Sequence, residues 1–449
     1  MRGVEPVWCV DVGSTFTKGV LVDGESGAVL HSGSTRTTVD TDVLEGIATL
    51  RAELPTEPGE TLVCSSAGGG LRLAVVGFER DVTGEAGYRV GLSAGARIEH
   101  VASGELDAPG VRALRQSRPD IVLLVGGTDG GNSDVLRHNA ARLAKARITV
   151  PIVVAGNSEA ASDVAETLAS TGRRFVITEN VVPRIGAINP HPARAAIREV
   201  FLEHVIGGKG LSSGTEFASL VRAATPDAVL TGVAVLADVH GDVIVVDVGG
   251  ATTDVYSALV PQGEDAEIER EVVGRLWQER TVEADLGMRW SAAGVIEAAA
   301  RERLDVPADL EGYARRVSAD PGHLPQSPAE TDLDLALARA AVVIAARRHG
   351  RPHTPSESPK PLGDVGLVVG SGGVLRHNDP DAARDVIAAL TADHGGGWRV
   401  PERARAVVDR AYLLFAVGLL AQHRPAAARA LAARVIAGQG PAEGPRLDP

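Results

Sequence analysis

Residues 247–254 read Asp247-Val-Gly249-Gly250-Ala251-Thr252-Thr253-Asp254. They follow Asp242–Val248, a run apolar in its middle, and precede a second strand-like run, Asp254–Val260. A buried strand ending in a carboxylate, a glycine turn and small hydroxyl residues is a pattern with a chemical use. Glycine lets backbone N–H groups turn toward phosphate oxygens without Cβ obstruction. Threonine adds hydroxyl donors. A strand-end aspartate can hold Mg²⁺ through its water shell, because that ion dehydrates reluctantly.

About 236 residues earlier the pattern occurs once before, as Asp11-Val-Gly13-Ser14-Thr15-Phe-Thr17-Lys18 after the strand Trp8–Val12. Lys18, one of only four lysines, supplies a point charge for a β- or γ-phosphate. A third glycine run, Gly370-Ser371-Gly372-Gly373, ends the apolar strand Val365–Val369. Backbone there can pass closely beneath a nucleoside. Each loop alone is a common strand–turn; the three in this order are specific.

Taken together, the loops resemble the actin, heat-shock-70 and sugar-kinase ATPase superfamily. Asp11–Lys18 resembles its first phosphate motif, Asp247–Asp254 its second and Gly370–Leu375 its adenosine motif. The resemblance implies an α/β protein with the two-lobed actin-like ATPase fold, two duplicated ribonuclease-H-like domains with ATP·Mg²⁺ between them. It also implies that small-residue stretches at 226–237 and Ala411–Leu420 are the two connecting helices, which cross closely. Three further strings, Ser65–Arg72 (SSAGGGLR), Val125–Asn132 (VGGTDGGN) and Glu283–Arg289 (EADLGMR), resemble the MutL/GlmL family. Its members are accessory proteins associated with adenosylcobalamin-dependent glutamate (methylaspartate) mutase, and are unrelated to the mismatch-repair protein of that name. The matching strings run from about residue 9 to 420. The implied partners are mutase subunits and the implied role is chaperone-like reactivation.

The resemblance implies Asp11 and Asp247 at the metal, with Thr252 or Asp254 helping to orient water; no single base stands out. It implies nucleotide contacts from Gly13, Ser14, Thr15, Thr17, Lys18, Gly249, Gly250, Ala251, Thr253 and Gly370, Ser371, Gly372, Gly373. Glu283, Asp285 and Gly287 follow the second loop, where the superfamily often brings a helix start near the γ-phosphate. Acidic residues in a first helical turn equally serve the helix dipole.

Between the first two loops, residues 60–200 alternate short apolar runs (Leu62–Ser65, Ile121–Val125, Ile152–Ala155, Arg174–Thr178) with Ala-rich stretches near 134–146 and 158–170. That is the pattern of buried parallel strands separated by helices, and predicts an inserted subdomain of three or four strands. The expected organisation is 1–60 for the first part of lobe one, 61–210 for the insert, 211–436 for lobe two with a return helix near Arg403–Gln422, and a disordered tail at 437–449. Residues 303–330 read as polar and Pro-containing, and His349–Pro361 as a mobile loop. Two glycine clusters stay open. Gly126–Gly131, with Asp129 and Asn132, is either a ligand loop or a capped turn; Gly68–Gly70 is either an anion turn or a hinge. The loop Asn180–Asn189 (NVVPRIGAIN) could meet a partner.

Composition narrows the classes further. The 449 residues carry a net charge of −13 with only four Trp, four Tyr and six Phe, against 52 glycines. Nucleic-acid or anionic-membrane binding needs a basic footprint, and single strands need stacking rings. Two cysteines, Cys9 and Cys64, sit in apolar runs and exclude a disulfide framework. No HExxH pattern suggests zinc. Without an apparent leader or a long apolar run, the expected location is the cytoplasm. Self-association is left open. Competing readings are a small-molecule kinase using Asp129 or Asp285 as base, an iron–sulfur electron donor disfavoured by the buried cysteine runs, and an actin-like filament module.

Overall fold

The computed structural model describes residues 5–67, 70–77, 85–146, 148–259, 278–352 and 360–437. The chain divides into two compact units. Among the described residues, 5–22 and 31–230 form the core of the first, and 23–30, 231–259 and 280–437 form the second.

The first unit opens with β1 (Pro6–Val12), β2 (Phe16–Asp23), β3 (Val29–Arg36) and β4 (Glu60–Ser65), and recruits β10 (Val221–Ala224) far along the chain. Their order is β10-β4-β1-β2-β3. The three residues joining β1 to its neighbour β2 allow only an antiparallel hairpin, whereas β1 and β4, separated by a helix, pair in parallel. In the second unit, β11 (Val243–Val248), β12 (Thr253–Ala258), β13 (Gln278–Glu283), β14 (Leu367–Ser371) and β15 (Arg405–Val408) take the order β13-β12-β11-β14-β15. The β11–β12 pair is antiparallel, and β11–β14 and β14–β15 are parallel. Both sheets therefore repeat one arrangement, with the first strand central, the second and third on one side, and the fourth and fifth on the other. This is the duplicated ribonuclease-H-like α/β fold of the actin-like ATPases.

Between β4 and β10 lies a third, all-parallel sheet of β5 (Leu71–Gly77), β6 (Ala96–Ser103), β7 (Ile121–Leu124), β8 (Ile152–Val154) and β9 (Phe175–Ile177), in the order β6-β5-β7-β8-β9. Leu73 and Val75 face a core shared with Val10 and Val63 of the first sheet. Ala74 and Val76 face the opposite way, against Leu114, Leu136 and Leu143. Coverage on both faces is what makes parallel strands continuously apolar.

The structure differs from the sequence expectations in several places. The insert has five strands rather than three or four: of the four expected runs Leu62–Ser65 is β4 of the first sheet, and β5 and the more polar edge strand β6 are not among them. The boundaries at 60/61 and 210/211 shift, because β4 and β10 both pair in the first sheet. The Arg403–Gln422 segment is not one helix. It is β15, a turn at Asp409 and a helix Leu414–Leu420, since the Asp409 carboxylate accepts the N–H groups of Leu413 and Leu414 at 3.0 and 3.1 Å. The polar segment 303–330 contains a helix, Leu310–Ala319, whose Leu310, Tyr313, Ala314 and Val317 form one buried face. Of the expected mobile loop His349–Pro361, His349 and Gly350 instead end the helix Pro328–Gly350 and are buried, and 353–359 lie outside the described residues; of the expected tail, Ala437 ends a helix and 438–449 lie outside them, as do Gly68 and Gly69.

The close crossing expected of the small-residue helices holds within the second unit. A Cβ on Gly232, in the helix Thr225–His240, would lie 2.1 Å from the carbonyl oxygen of Leu414. Gly232→Ala should therefore cost about 1–3 kcal/mol through forced separation of the helices, read as a lowered urea midpoint. Gly312→Ala is the control: it lies in a helix with nothing within 4 Å of the added methyl. It should be neutral or raise the midpoint. Equal behaviour of the two variants contradicts the close crossing.

Candidate functional site

In the first unit, β1 delivers Asp11 two residues before Gly13. The turn closes when Gly13 N–H donates to the Phe16 carbonyl at 3.1 Å. A Cβ on Gly13 would sit 2.7 Å from that oxygen, so the position accepts little but glycine. Ser14, Thr15 and Phe16 are exposed at the apex. Thr17 is turned inward: its hydroxyl meets that of Thr37 at 3.1 Å, and Thr37 donates to the Gly13 carbonyl at 2.9 Å. Asp11 is buried, with Lys18 Nζ 3.4 Å from Oδ2. Its Oδ1 accepts the Thr225 hydroxyl at 2.5 Å and the Cys64 thiol at 3.7 Å. Burial, then the charge of Asp11, pushes the Cys64 thiol well up, which keeps it a donor.

The second unit repeats the turn. Gly249 N–H donates to the Thr252 carbonyl at 2.9 Å, and a Cβ on Gly249 would lie 2.8 Å from that oxygen. Gly13 thus corresponds to Gly249, Asp11 to Asp247 and Lys18 to Asp254. Where loop one sets a lysine near its aspartate, loop two sets Asp254 directly opposite Asp247 in the β11–β12 register. Like charges facing each other in a ladder destabilise it unless something lies between or beside them. Arg280 Nη2 on β13 meets Asp254 Oδ2 at 3.0 Å, and the Tyr256 hydroxyl reaches the same oxygen at 3.5 Å. Asp254 Oδ1 is buried with no hydrogen-bond partner among the described residues.

Behind this loop lies the turn carrying Glu283, Asp285 and Gly287. Met288 N–H donates to the Gly249 carbonyl at 3.0 Å, and Arg289 and Trp290 N–H to the Gly250 carbonyl at 2.8 and 3.0 Å. The Ser291 hydroxyl reaches the Ala251 carbonyl at 2.8 Å, and Thr253 donates to the Leu286 carbonyl at 2.5 Å. In a trans peptide the C=O and the following N–H point opposite ways. Holding those three carbonyls turns the N–H groups of Gly250, Ala251 and Thr252 away from the 284–290 turn. Successive N–H groups of this kind make an anion-binding concavity. Gly287 permits the approach, since a Cβ there would lie 2.5 Å from the Ala251 carbonyl. Glu283 and Asp285 have another occupation: both are gripped by Arg348, at 2.7 Å for each nearest oxygen.

At the third loop the glycines serve packing. Cβ atoms on Gly370 and Gly372 would lie 2.4 Å from Ile387 and 2.2 Å from the Val248 carbonyl, and Gly372 has φ of 113°. Ser371 is buried and only Gly373 faces open space. The Gly126–Gly131 loop is tied off internally. Asn180 Nδ2 donates to the Gly127 carbonyl and to Asp129 Oδ1, both at 3.0 Å. Asp129 Oδ1 also accepts Ser158 N–H at 2.8 Å, and Asn132 caps Asp134 N–H at 2.8 Å. Sequence reading missed Thr225, Cys64, Arg280 and Arg348 as neighbours of these loops. The only local signal was for Thr225, a hydroxyl residue immediately before Pro226 at a helix start.

A divalent cation fits loop two by its donor chemistry. Mg²⁺ takes one or two carboxylates and completes its shell with water and substrate phosphate. Two facing carboxylates, one oxygen orphaned, offer that set. Among the described residues no group of three or more His, Cys, Asp or Glu side chains could form an all-protein site.

Comparison with known proteins adds three findings. The sequence profile of the MutL protein family matches residues 7–436. Protein MutL of Clostridium tetanomorphum is 35% identical over 445 residues, covering 93% of this chain and 96% of that one. Among solved structures, nucleotide-free acetone carboxylase is 15% identical, with TM-score 0.36, over 94% of this chain and 70% of its own. The activator of the 2-hydroxyisocaproyl-CoA dehydratase from Clostridium difficile, with bound ADPNP, is 10% identical, with TM-score 0.27, over 98% and 100%. At those scores neither structure bears on function.

The Arg348 grip makes a signed pH prediction. Burial raises the Glu283 carboxyl above its ordinary value against the pull of Arg348. For Asp285 burial also pulls upward, but Arg348 outweighs it and holds the carboxyl low. Asp285 thus contributes stability present above about pH 4 and lost as pH falls through its folded pKa, whereas Glu283 contributes stability present below about pH 4.3 and lost as pH rises through its own. In urea midpoints measured from pH 3 to 6, Asp285→Asn should lose less on acidification than the parent. Glu283→Gln should lose less on raising pH above 4.3. Identical profiles would contradict the assignment.

Proposed function

The chain belongs to the MutL protein family, and we propose that it binds and hydrolyses ATP as an accessory protein of an adenosylcobalamin-dependent glutamate (methylaspartate) mutase. The observation that carries the nucleotide reading is the repeated turn. Two duplicated sheets each end their central strand in an aspartate, a glycine fixed by a carbonyl contact, and small exposed residues, and the second adds an array of outward-turned N–H groups. One such turn is ordinary; its recurrence at the equivalent place in the second copy favours phosphate contact as the use of each.

In this reading the phosphate-facing residues of the first unit are Gly13, Ser14, Thr15 and Lys18, and those of the second unit are Gly249, Gly250, Ala251 and Thr252. Asp247 and Asp254 would hold Mg²⁺, which when bound neutralises charge on the phosphates. Both oxygens of Asp11 already receive protein partners, so Asp11 orients Lys18 and would meet the ion only through water. Thr17 and Thr253 act as internal braces for the two turns. Gly372 supports the nucleotide loop from beneath, and Gly373 leaves open space for an adenosine. Catalysis would come from positioning and from fixed N–H dipoles rather than covalent chemistry.

Family membership supports the mutase client, with nucleotide turnover driving exchange of damaged cobalamin. The kinase reading is less well supported, because both candidate bases are engaged: Asp129 by Asn180 and Ser158, Asp285 by Arg348. No helix among the described residues is long and apolar enough to cross a membrane.

ATP with Mg²⁺ should raise the melting temperature, with about 2.7 kcal/mol of stabilisation at a hundred times Kd. Asp247→Asn should keep the fold and lose Mg²⁺-dependent phosphate release. No shift at millimolar ATP contradicts the nucleotide reading. Co-purification of mutase subunits, compared with and without ATP, tests the client separately.

A further inference from the structure

We infer that Arg280 is a positioning residue for the divalent cation: it clamps one oxygen of Asp254 so that the other is presented, opposite Asp247, as a metal-shell acceptor. This role rests on the ATP·Mg²⁺ reading above.

Three observations support it. First, Arg–carboxylate pairs favour a two-pronged geometry in which both oxygens are used. Here Nη2 takes Oδ2 at 3.0 Å, the Tyr256 hydroxyl converges on the same Oδ2 at 3.5 Å, and Oδ1 is left buried without a partner among the described residues. Second, Arg280 is itself deeply buried, its side chain 7% exposed, and its Nε and Nη1 also lack hydrogen-bond partners among the described residues. A pair that existed only to hold β12 to β13 would gain by closing the second prong, since buried unpaired polar atoms are costly. Third, the guanidinium is fixed in place: its central carbon lies 5.8 Å from the centroid of the fully buried Tyr256 ring. Clamped at Oδ2, the Asp254 carboxylate has Oδ1 as its remaining acceptor. Asp247 stands across the ladder. A hydrated cation would give Oδ1 the partner it lacks among the described residues.

The test separates metal from nucleotide. ATP affinity is measured by calorimetry on the full chain in EDTA and again with saturating MgCl₂, and Mn²⁺ binding to the ATP-loaded protein is followed by water-proton relaxation. Arg280→Gln should keep ATP affinity in EDTA within about twofold, and weaken Mn²⁺ and the Mg²⁺-dependent tightening by about 10–100-fold, the usual effect of removing a residue that orients a metal ligand. Arg280→Lys keeps the buried charge but loses the fork, and should weaken the metal by about tenfold. It carries the comparison should Arg280→Gln not fold. Equal loss with and without metal, or unchanged metal affinity in the lysine variant, overturns the role of Arg280 while leaving ATP binding intact. Failure of the unsubstituted protein to bind ATP in either buffer overturns the nucleotide reading and this role with it.

Discussion

A backbone N–H bonded across three residues organises this protein. Gly13 to Phe16, and Gly249 to Thr252, close turns so tight that the bonded carbonyl occupies the space a Cβ would need. Each loop is arranged from its own bond. The strand before each turn ends in an aspartate, and the strand after it returns antiparallel, so position seven of each motif faces position zero. Lys18 in one copy and Asp254 in the other occupy that place. The two copies share one backbone solution but differ in charge, and the difference gives them different work.

Around the second turn, the neighbouring segment acts by taking carbonyls. Met288, Arg289, Trp290 and Ser291 together hold the oxygens of Gly249, Gly250 and Ala251. Side chains matter less here than the glycine at 287, whose missing Cβ lets the two backbones touch. The acidic residues beside it, conspicuous in sequence, are both held by Arg348. The string thus divides into a half engaged by Arg348 and a half that shapes the loop.

The loops were legible in the sequence because their determinants are local: an apolar run, a carboxylate, glycine and hydroxyls within eight residues. The duplicated α/β fold came with the superfamily resemblance that those loops carry. What escaped is long-range. Nothing around Val221–Ala224 announces that this short strand pairs with β4, about 155 residues earlier. Arg280, Arg348 and Thr225 are 26, 63 and 214 positions from the carboxylates they bind at Asp254, Asp285 and Asp11. The helix expected near Arg403–Gln422 failed for a local reason, since Asp409 reads as an interior polar residue until its two capped N–H groups are seen. The Gly126–Gly131 cluster stayed open between a ligand loop and a capped turn, because the Asn180 and Asn157 contacts that tie it off lie beyond any short-range pattern.

The position of the inserted sheet also sets a timetable for synthesis. β4 is complete at Ser65, whereas its outer neighbour β10 begins at Val221. At about 5–20 residues per second, the ribosome exposes an unfinished sheet edge for on the order of 10–30 s. The parallel insert is made during that interval, and Leu73, Val75 and Leu123 share the core of Val10 and Val63. The insert can therefore shelter nascent apolar surface before the last strand arrives, a duty to its own chain at birth that is separate from any duty to a client.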